Sequence, residues 1–318
     1  MKSPYDISPL ILKLVTSISE KIGEVKANFI NKPSPQLRKQ NKIKTIHSSL
    51  SIEGNTLTQE QVTAIIENKR VIGPKKDVLE VLNAIKVYDN LDSFNPFSSG
   101  AFLKAHKLLM EGLVENAGEF RNKGVGIFQG SRVAHIAPPF ENVPALMNDL
   151  FLYLKNKEEL TLIKSCVFHY EMEFIHPFLD GNGRMGRLWQ TLILMSEYPV
   201  FEFLPFETLI SQTQNDYYAA LADSDRSGKS TPFIEYILGV IEKSLIELLN
   251  FNNRILTVTD RLEYFLALGQ KEFTRKDYMN IFKDISTATA SRDLKKGVEM
   301  NLLAKTGEMN KTIYKVKK

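Results

Sequence analysis

The chain has 318 residues, of which 43% are hydrophobic, 10% aromatic and 25% charged. That composition supports a full-sized packed core, excludes a largely disordered chain, and leaves room for two domains or one large domain with an appendage. The net charge of +4 is too small to identify a partner, but its placement is informative. From Asp260 onward 13 Lys/Arg stand against 8 Asp/Glu, whereas the residues before it carry 28 against 29. The excess positive charge therefore sits in the last segment, as a nucleic-acid surface or as a solvated basic tail. The single cysteine, Cys166, has no partner for an internal disulfide and lies in an apolar helical pattern, which reads as a buried structural residue. The first ten residues lack the apolar run and cleavage site of a signal peptide, and no stretch approaches the roughly 18 apolar residues that span a bilayer. A soluble, cytoplasmic protein without a membrane partner is the expectation by elimination.

Most of the chain reads helical. Leu10, Leu14, Ile18 and Ile22 recur every four residues and give one apolar face. Thr58 and Gln61 have capping-box spacing and open a helix through Val62, Ile65 and Ile66. Val78, Val81, Leu82, Ile85 and Val87 mark another helix, and Phe102, His106, Leu109 and Leu113 the next. Between Arg121 and Ile136 the pattern breaks into a short hairpin with Gln129-Gly130-Ser131 at its tip. Helical texture returns after Pro138-Pro139 with Val143, Leu146, Leu150 and Leu154. It continues through Ile163, Val167 and Tyr170, then Leu188, Leu192 and Met195, and ends in a long helix from Phe233 to Phe251. After Leu256 short helices give way to two short strands, around Leu302-Leu303 and Ile313–Val316, on either side of Gly307. The change of texture places a boundary near Asn252 to Thr257. The expected division is residues 1–90 as an N-terminal helical region, 91–255 as a core, and 256–318 as a small basic domain.

The informative segment runs from His176 to Arg187. Pro177 disfavours a helical residue before it, so the preceding helix should stop near His176. A helix should resume near Asn182 or Gly183, which puts Gly181 and Gly183 in the loop that opens it. Glycines there permit close backbone approach, and unpaired N–H groups plus the helix dipole make an anion site. Arg184 and Arg187 are three apart and can face the same phosphates. Asp180 is a hard oxygen ligand suited to Mg²⁺, and His176 is placed to act as a base. Base, metal ligand, anion loop and two cations within twelve residues describe phosphoryl-type transfer. A different reading takes His169, Glu173, His176 and Asp180, spaced four, three and four apart, as one helical face that binds zinc or iron. Pro177 weighs against it, since it breaks the helix before Asp180 can line up.

The segment resembles the signature of the Fic family, HxFx(D/E)GNGRxxR, at every fixed position, with Leu179, Met185 and Gly186 at free positions. The resemblance covers roughly residues 49 to 198 well and the rest loosely. It implies a mainly α fold, a Fic-type helical domain with a small β-hairpin flap. It also implies Mg²⁺-dependent protein adenylyltransfer: His176 deprotonates a Ser, Thr or Tyr hydroxyl of a target protein, and that oxygen attacks the α-phosphorus of ATP. By the same resemblance Asp180 holds Mg²⁺. Gly181, Asn182, Gly183 and Arg184 cradle the α- and β-phosphates, and Arg187 meets the γ-phosphate. Family kinases that bind the nucleotide inverted carry Lys where this chain has Gly183, which favours AMP transfer.

Residues Ser49 to Asn55 resemble the family's inhibitory motif, (S/T)xxxE(G/N). The resemblance implies that Glu53 pairs with Arg187 and turns ATP into a non-productive pose. The bare reading of the same residues is a helix C-terminus capped by Gly54 with Glu53 in solvent. In the family the hairpin docks the target's backbone as an added strand. Here Val125, Ile127 and Val133 alternate with smaller or polar residues, as an exposed edge would, and His135 reads as a surface histidine. The tail from Phe273 to Val316 resembles a winged helix, with Arg292, Lys295 and Lys296 on its recognition-type helix and the strands about Gly307 as the wing. Such modules bind duplex DNA or serve as protein–protein or dimerisation units. The expected partners are thus a target protein, the chain itself as a substrate, DNA at the tail and a second copy of the chain. The alternative function is a DNA-binding regulatory protein whose Fic site senses nucleotide.

Overall fold

The computed structural model describes residues 4–28, 35–129, 132–252, 257–267, 269–282, 285–307 and 312–317. The chain is mainly α-helical and divides into two compact units, Met1–Asn250 and Phe251–Lys318. Among the described residues no helix is long and apolar enough to cross a membrane.

The first unit opens with α1 (Pro9–Asn28) and α2 (Pro35–Ile52). The buried stripe of α1 is Ile11, Leu14, Ile18, Ile22 and Val25, so Leu14, Ile18 and Ile22 lie on the expected face while Leu10 is exposed and Ile11 takes its place. Helix α3 (Gln59–Ile66) begins at the capping box, in which Thr58 and Gln61 exchange side-chain to backbone bonds. In α4 (Lys75–Tyr88) the interior face carries Asp77, Glu80, Val81, Asn83, Ala84 and Val87, while Leu82 points outward. The polar members of that face are there because they have partners inside: Asn83 Nδ2, for instance, donates to the Glu111 carbonyl at 2.8 Å. Helix α5 (Ser99–Met110) follows, capped by the Ser98 hydroxyl on the Ala101 N–H.

Strands β1 (Gly126–Gln129) and β2 (Arg132–Ile136) form the hairpin, antiparallel, with Gly126 opposite Ile136 and a register shift between Ile127 and Phe128. The tip at Gly130-Ser131 and the side chains of Ile127, Val133 and His135 lie outside the described residues. Beyond it come α6 (Val143–Leu154), α7 (Thr161–Ile175), α8 (Asn182–Met195), α9 (Glu207–Gln212), α10 (Gln214–Ser227) and α11 (Thr231–Asn252). Helices α7 and α8 are buried on nearly every side, flanked by two apolar clusters. One gathers α1, α11 and the outer face of α7 around Ile18, Val167 and Ile237. The other gathers α2 to α6 around Phe102, Phe151, Phe168 and Trp189. Cys166 sits fully buried in the first, where burial pushes its thiol up to about 12 and leaves it inert.

The second unit contains α12 (Val258–Ala267), β3 (Glu272–Phe273), α13 (Arg275–Ile281), α14 (Thr287–Glu299), β4 (Leu303–Thr306) and β5 (Ile313–Val316). Its strands form an antiparallel sheet in the order β3-β5-β4. Strand β3 was not legible in the sequence, being two residues long. The core is Leu262, Phe265, Phe273, Tyr278, Leu294 and Leu303, with a buried Arg261–Asp293 ion pair beside it.

Candidate active site

Helix α7 stops where Pro177 requires. His176 caps it in the left-handed region, at φ 50° and ψ 62°. A non-glycine residue there is strained, and such strain persists where the surroundings fix it. The fixing group is Arg121, just before the hairpin. Its Nε donates to the His176 carbonyl at 2.8 Å, and its Nη2 donates to the carbonyls of Pro138 and Ile175. The Arg121 N–H also donates to the Pro177 carbonyl at 2.8 Å. One arginine thus closes the orphan carbonyls at the end of α7 and sets the direction in which His176 leaves it.

The loop between α7 and α8 is tied at both ends. Asn182 accepts from the Phe178 N–H and donates to the Phe178 carbonyl, each at 2.9 Å. Its side chain is therefore committed to the loop, and what it offers an anion is its backbone N–H. His106 of α5 supports the middle: its ring stacks on Phe178 at 3.6 Å between centroids. His106 Nδ1 accepts from the Gly118 N–H at 2.9 Å, which leaves Nε2 to donate to the Asp180 carbonyl at 3.0 Å. Burial depresses His106 to about 4, so it stays neutral. Gly181 has φ 85°, and a Cβ there would lie 2.7 Å from Met110 Sδ, so glycine is required on both counts. The outcome is a helix N-terminus without a side-chain cap, Asn182 buried and Gly183 half-buried, whose first-turn N–H groups suit an anion.

Around this turn the charged residues are already partnered. Asp180 Oδ1 accepts from the Gly181 N–H at 2.6 Å and from Arg184 Nη2 at 2.9 Å. Arg184 Nη1 donates to Glu80 Oε1 at 3.1 Å. The two arginines expected to face one set of phosphates instead point in different directions, Arg184 toward Glu80 and Asp180, Arg187 toward α2. Asp180 is 45% exposed and both its bonds fall on Oδ1, so Oδ2 is open to a cation. A single hard carboxylate of this kind fits Mg²⁺, which needs few protein ligands when phosphates supply the rest.

Arg187 is wholly buried. Its Nη2 donates to Glu53 Oε1 at 2.7 Å and to the Ser49 carbonyl at 2.9 Å, and its Nε donates to Ser49 Oγ at 3.1 Å. Burial works against the charge, but Glu53, Tyr217 and Glu173 together outweigh it and raise Arg187 above its ordinary value. Gly54 closes α2 with φ 87°, as a C-terminal glycine does, yet Glu53 beside it, partly open to solvent, places Oε1 on Arg187. The chain beyond is anchored on α4: Asn55 Nδ2 donates to Glu80 Oε2 at 2.8 Å, and the Thr56 N–H and hydroxyl donate to Asp77 Oδ2. Ser49 and Glu53 thereby hold Arg187 from one rigid stretch.

The alternative metal face does not assemble. His169 Nδ1 bonds Gln190 Oε1 at 2.7 Å and Nε2 bonds the Tyr217 hydroxyl at 3.0 Å, so both ring nitrogens are taken. The left-handed turn at His176 carries Asp180 away from that face. Among the described residues no group of three or more His, Cys, Asp and Glu could hold a metal ion. His169 is a core residue, pushed down to about 3 by burial.

A family model described as Fic/DOC family matches residues 96–194. A protein adenylyltransferase Fic of Nematostella vectensis is 28% identical over 257 residues, 74% of this chain and 57% of that relative. Protein adenylyltransferase fic-1 of Caenorhabditis elegans is 30% identical over 213 residues, 63% of this chain and 40% of the relative. The chain thus spans about half the length of the curated relatives it matches. The crystal structure of a Fic family protein from Desulfovibrio desulfuricans G20 superposes with a TM-score of 0.77 at 40% identity, covering 100% of this chain and 98% of that one. A fragment of Caenorhabditis elegans Fic-1 superposes with a TM-score of 0.62 at 23% identity, over 76% of this chain and 72% of that one, a likeness of fold.

Proposed function

Because the chain belongs to the Fic family, we propose that it is a protein adenylyltransferase held in check by Glu53. The observation that carries this reading is the N-terminus of α8, which has no side-chain cap, with His176 fixed at its approach and Arg187 buried along its first turns. ATP binds with its phosphates against the N–H groups of Asn182 and Gly183. His176 takes the proton of a Ser, Thr or Tyr hydroxyl on a target protein or on this chain. The hydroxyl oxygen forms a bond to the α-phosphorus as the bond to the pyrophosphate oxygen breaks, and pyrophosphate leaves. Mg²⁺, held by Asp180 Oδ2 and phosphate oxygens, would neutralise part of the negative charge. The β1–β2 hairpin offers an edge to the target's backbone. Glu53 occupies Arg187, the cation that would otherwise bind the γ-phosphate, so the braked enzyme binds ATP without the grip that aligns it.

A second reading applies to residues 251–318, which we take as a winged-helix-type module. Arg292, Lys295 and Lys296 are all exposed on α14, and such a row suits phosphate contacts on duplex DNA. In that reading the nucleotide site regulates the tail.

The two separate on label retention. ATP labelled in the α-phosphate should leave label on protein after denaturation, and ATP labelled in the γ-phosphate should not. Retention of the γ-label would mean a kinase, and retention of neither, with the Glu53→Gly protein included, would favour the regulatory reading.

A further inference from the structure

Arg187 is gripped from one side. Its Nη2 and Nε are bonded to Glu53 and Ser49, while Nη1 is enclosed and has no hydrogen-bond partner. Glu173 lies on α7, one turn before His176, and its Oε1 is likewise enclosed without a hydrogen-bond partner. Two glycines bring these groups together. A Cβ at Gly183 would fall on Glu53 Oε1 and lie 3.1 Å from Arg187 Nη1, and one at Gly186 would lie 3.0 Å from Glu173 Oε1. Gly183 and Gly186 are three residues apart and therefore neighbours on one helix face, with roughly 5–6 Å between Cβ positions. The brake carboxylate, the unbonded edge of the guanidinium and a second carboxyl thus share one bare strip of α8.

Besides Glu53 and Arg187, the groups seen to act on Glu173 are His169, Tyr217 and Tyr218. His169 Nε2 stands 3.9 Å away, but burial holds that ring neutral. Tyr217 and Tyr218 of α10 act on it electrostatically, and burial raises both phenols. Burial first, and Glu53 second, push Glu173 up to about 8 against the pull of Arg187. Two carboxylates beside a single cation cannot both ionise cheaply in such a place.

We propose that Glu173 is a reserve partner for Arg187, which takes the guanidinium when Glu53 is withdrawn and competes there with the terminal phosphate of ATP. While Glu53 holds Arg187, Glu173 keeps its proton. Withdrawal of Glu53 removes the like charge and leaves a buried cation unmatched, so Glu173 releases its proton to solvent and pairs with Nη1. Release of the brake is then coupled to release of one proton, and the released enzyme binds ATP better below the lowered Glu173 midpoint than above it. The inference rests on the reading of Glu53 as a brake.

Two measurements on the full chain test it. In nucleotide-free protein with ¹³C-labelled glutamate, the Glu173 carboxyl should titrate near 8 in the wild type and fall toward the ordinary glutamate value of ~4.3 in Glu53→Gly. An unchanged midpoint overturns the proposal, and this readout needs no activity and no substitution at 173. Then KM for ATP in AMP transfer should rise severalfold with pH in Glu53→Gly through that lowered midpoint, while Glu53→Gly/Glu173→Gln stays flat and kcat changes alike in both. Parallel KM profiles also overturn it. If Glu53→Gly is no faster than the wild type, the brake reading fails, and the carboxyl titration still decides the role of Glu173.

Discussion

Replacing Glu53 with glycine removes the carboxylate that bonds Arg187 and should accelerate AMP transfer. The size follows from the burial of the two partners. Arg187 is 0% exposed and the Glu53 side chain 29%, so the pair is neither a surface ion pair nor a fully dry one. Exposed pairs are worth about 0–1 kcal/mol, and breaking one side of a buried pair costs about 3–5 kcal/mol. A pair shielded on the arginine side and open on the glutamate side falls between, at about 1–3 kcal/mol, or roughly 5- to 150-fold. Initial rates of α-labelled AMP incorporation into self and lysate proteins, at equal ATP, give the number. Arg187→Ala should not mimic the gain, since it deletes the brake's partner and the nucleotide's ligand together, and the double variant should behave as Arg187→Ala alone. A Glu53→Gly rate within about twofold of the wild type would refute the argument, because a carboxylate this well placed could then not be restraining Arg187.

Three further outcomes follow from the same geometry. With Asp180 as the protein's ligand to the cation, chelation by EDTA should abolish transfer and Mg²⁺ alone should restore it, whereas Asp180→Asn should need far more Mg²⁺ for the same rate. His106 and His169 are pushed down to about 4 and about 3 in the fold, against an ordinary 6.5, so the unfolded chain binds protons first as pH falls. The stability these two histidines contribute should accordingly be lost from about pH 6.5 down toward pH 4, opposed by Glu173 and Glu207, which burial raises to about 8 and about 7, so the readout in urea unfolding is that His106→Gln loses less stability than the wild type over this range. Neutralising Arg292, Lys295 and Lys296 together should weaken duplex binding at low salt and reduce its salt dependence, with AMP transfer intact; no duplex binding by the intact chain would leave the tail as a partner module.

The site was legible in the sequence wherever it is local and hidden wherever it is not. Helix, proline stop, glycine loop and helix restart lie within twenty residues, and each step has a backbone reason visible in the residue types. Glu53 was reached through a resemblance; its own neighbourhood reads equally as a capped helix end, and the structure makes it both. Glu80, His106 and Arg121 were missed as members of the site, since each acts from another element and touches the loop only after the helices pack. A signal was present for two of them. His106 interrupts the apolar face of α5 and Glu80 the interior face of α4, and a polar residue on a core face needs a partner. Faces drawn from apolar spacing alone were wrong at single positions, Leu10 in α1 and Leu82 in α4, which are exposed; in α4 the spacing also missed Asp77, Glu80 and Asn83, polar residues buried on the interior face. Asn182 shows the converse: the motif assigns it to the phosphates, but its side chain holds Phe178.

The central claim is that this chain moves AMP with His176 as the base, and intact-mass spectrometry of two variants tests it most directly. Glu53→Gly incubated with ATP and Mg²⁺ should gain the mass of AMP on itself or on an added acceptor protein. Glu53→Gly/His176→Ala should bind ATP comparably and gain none within the same time, since loss of a general base commonly costs about 10²–10⁴ in rate. Equal adduct formation by both proteins would contradict the account.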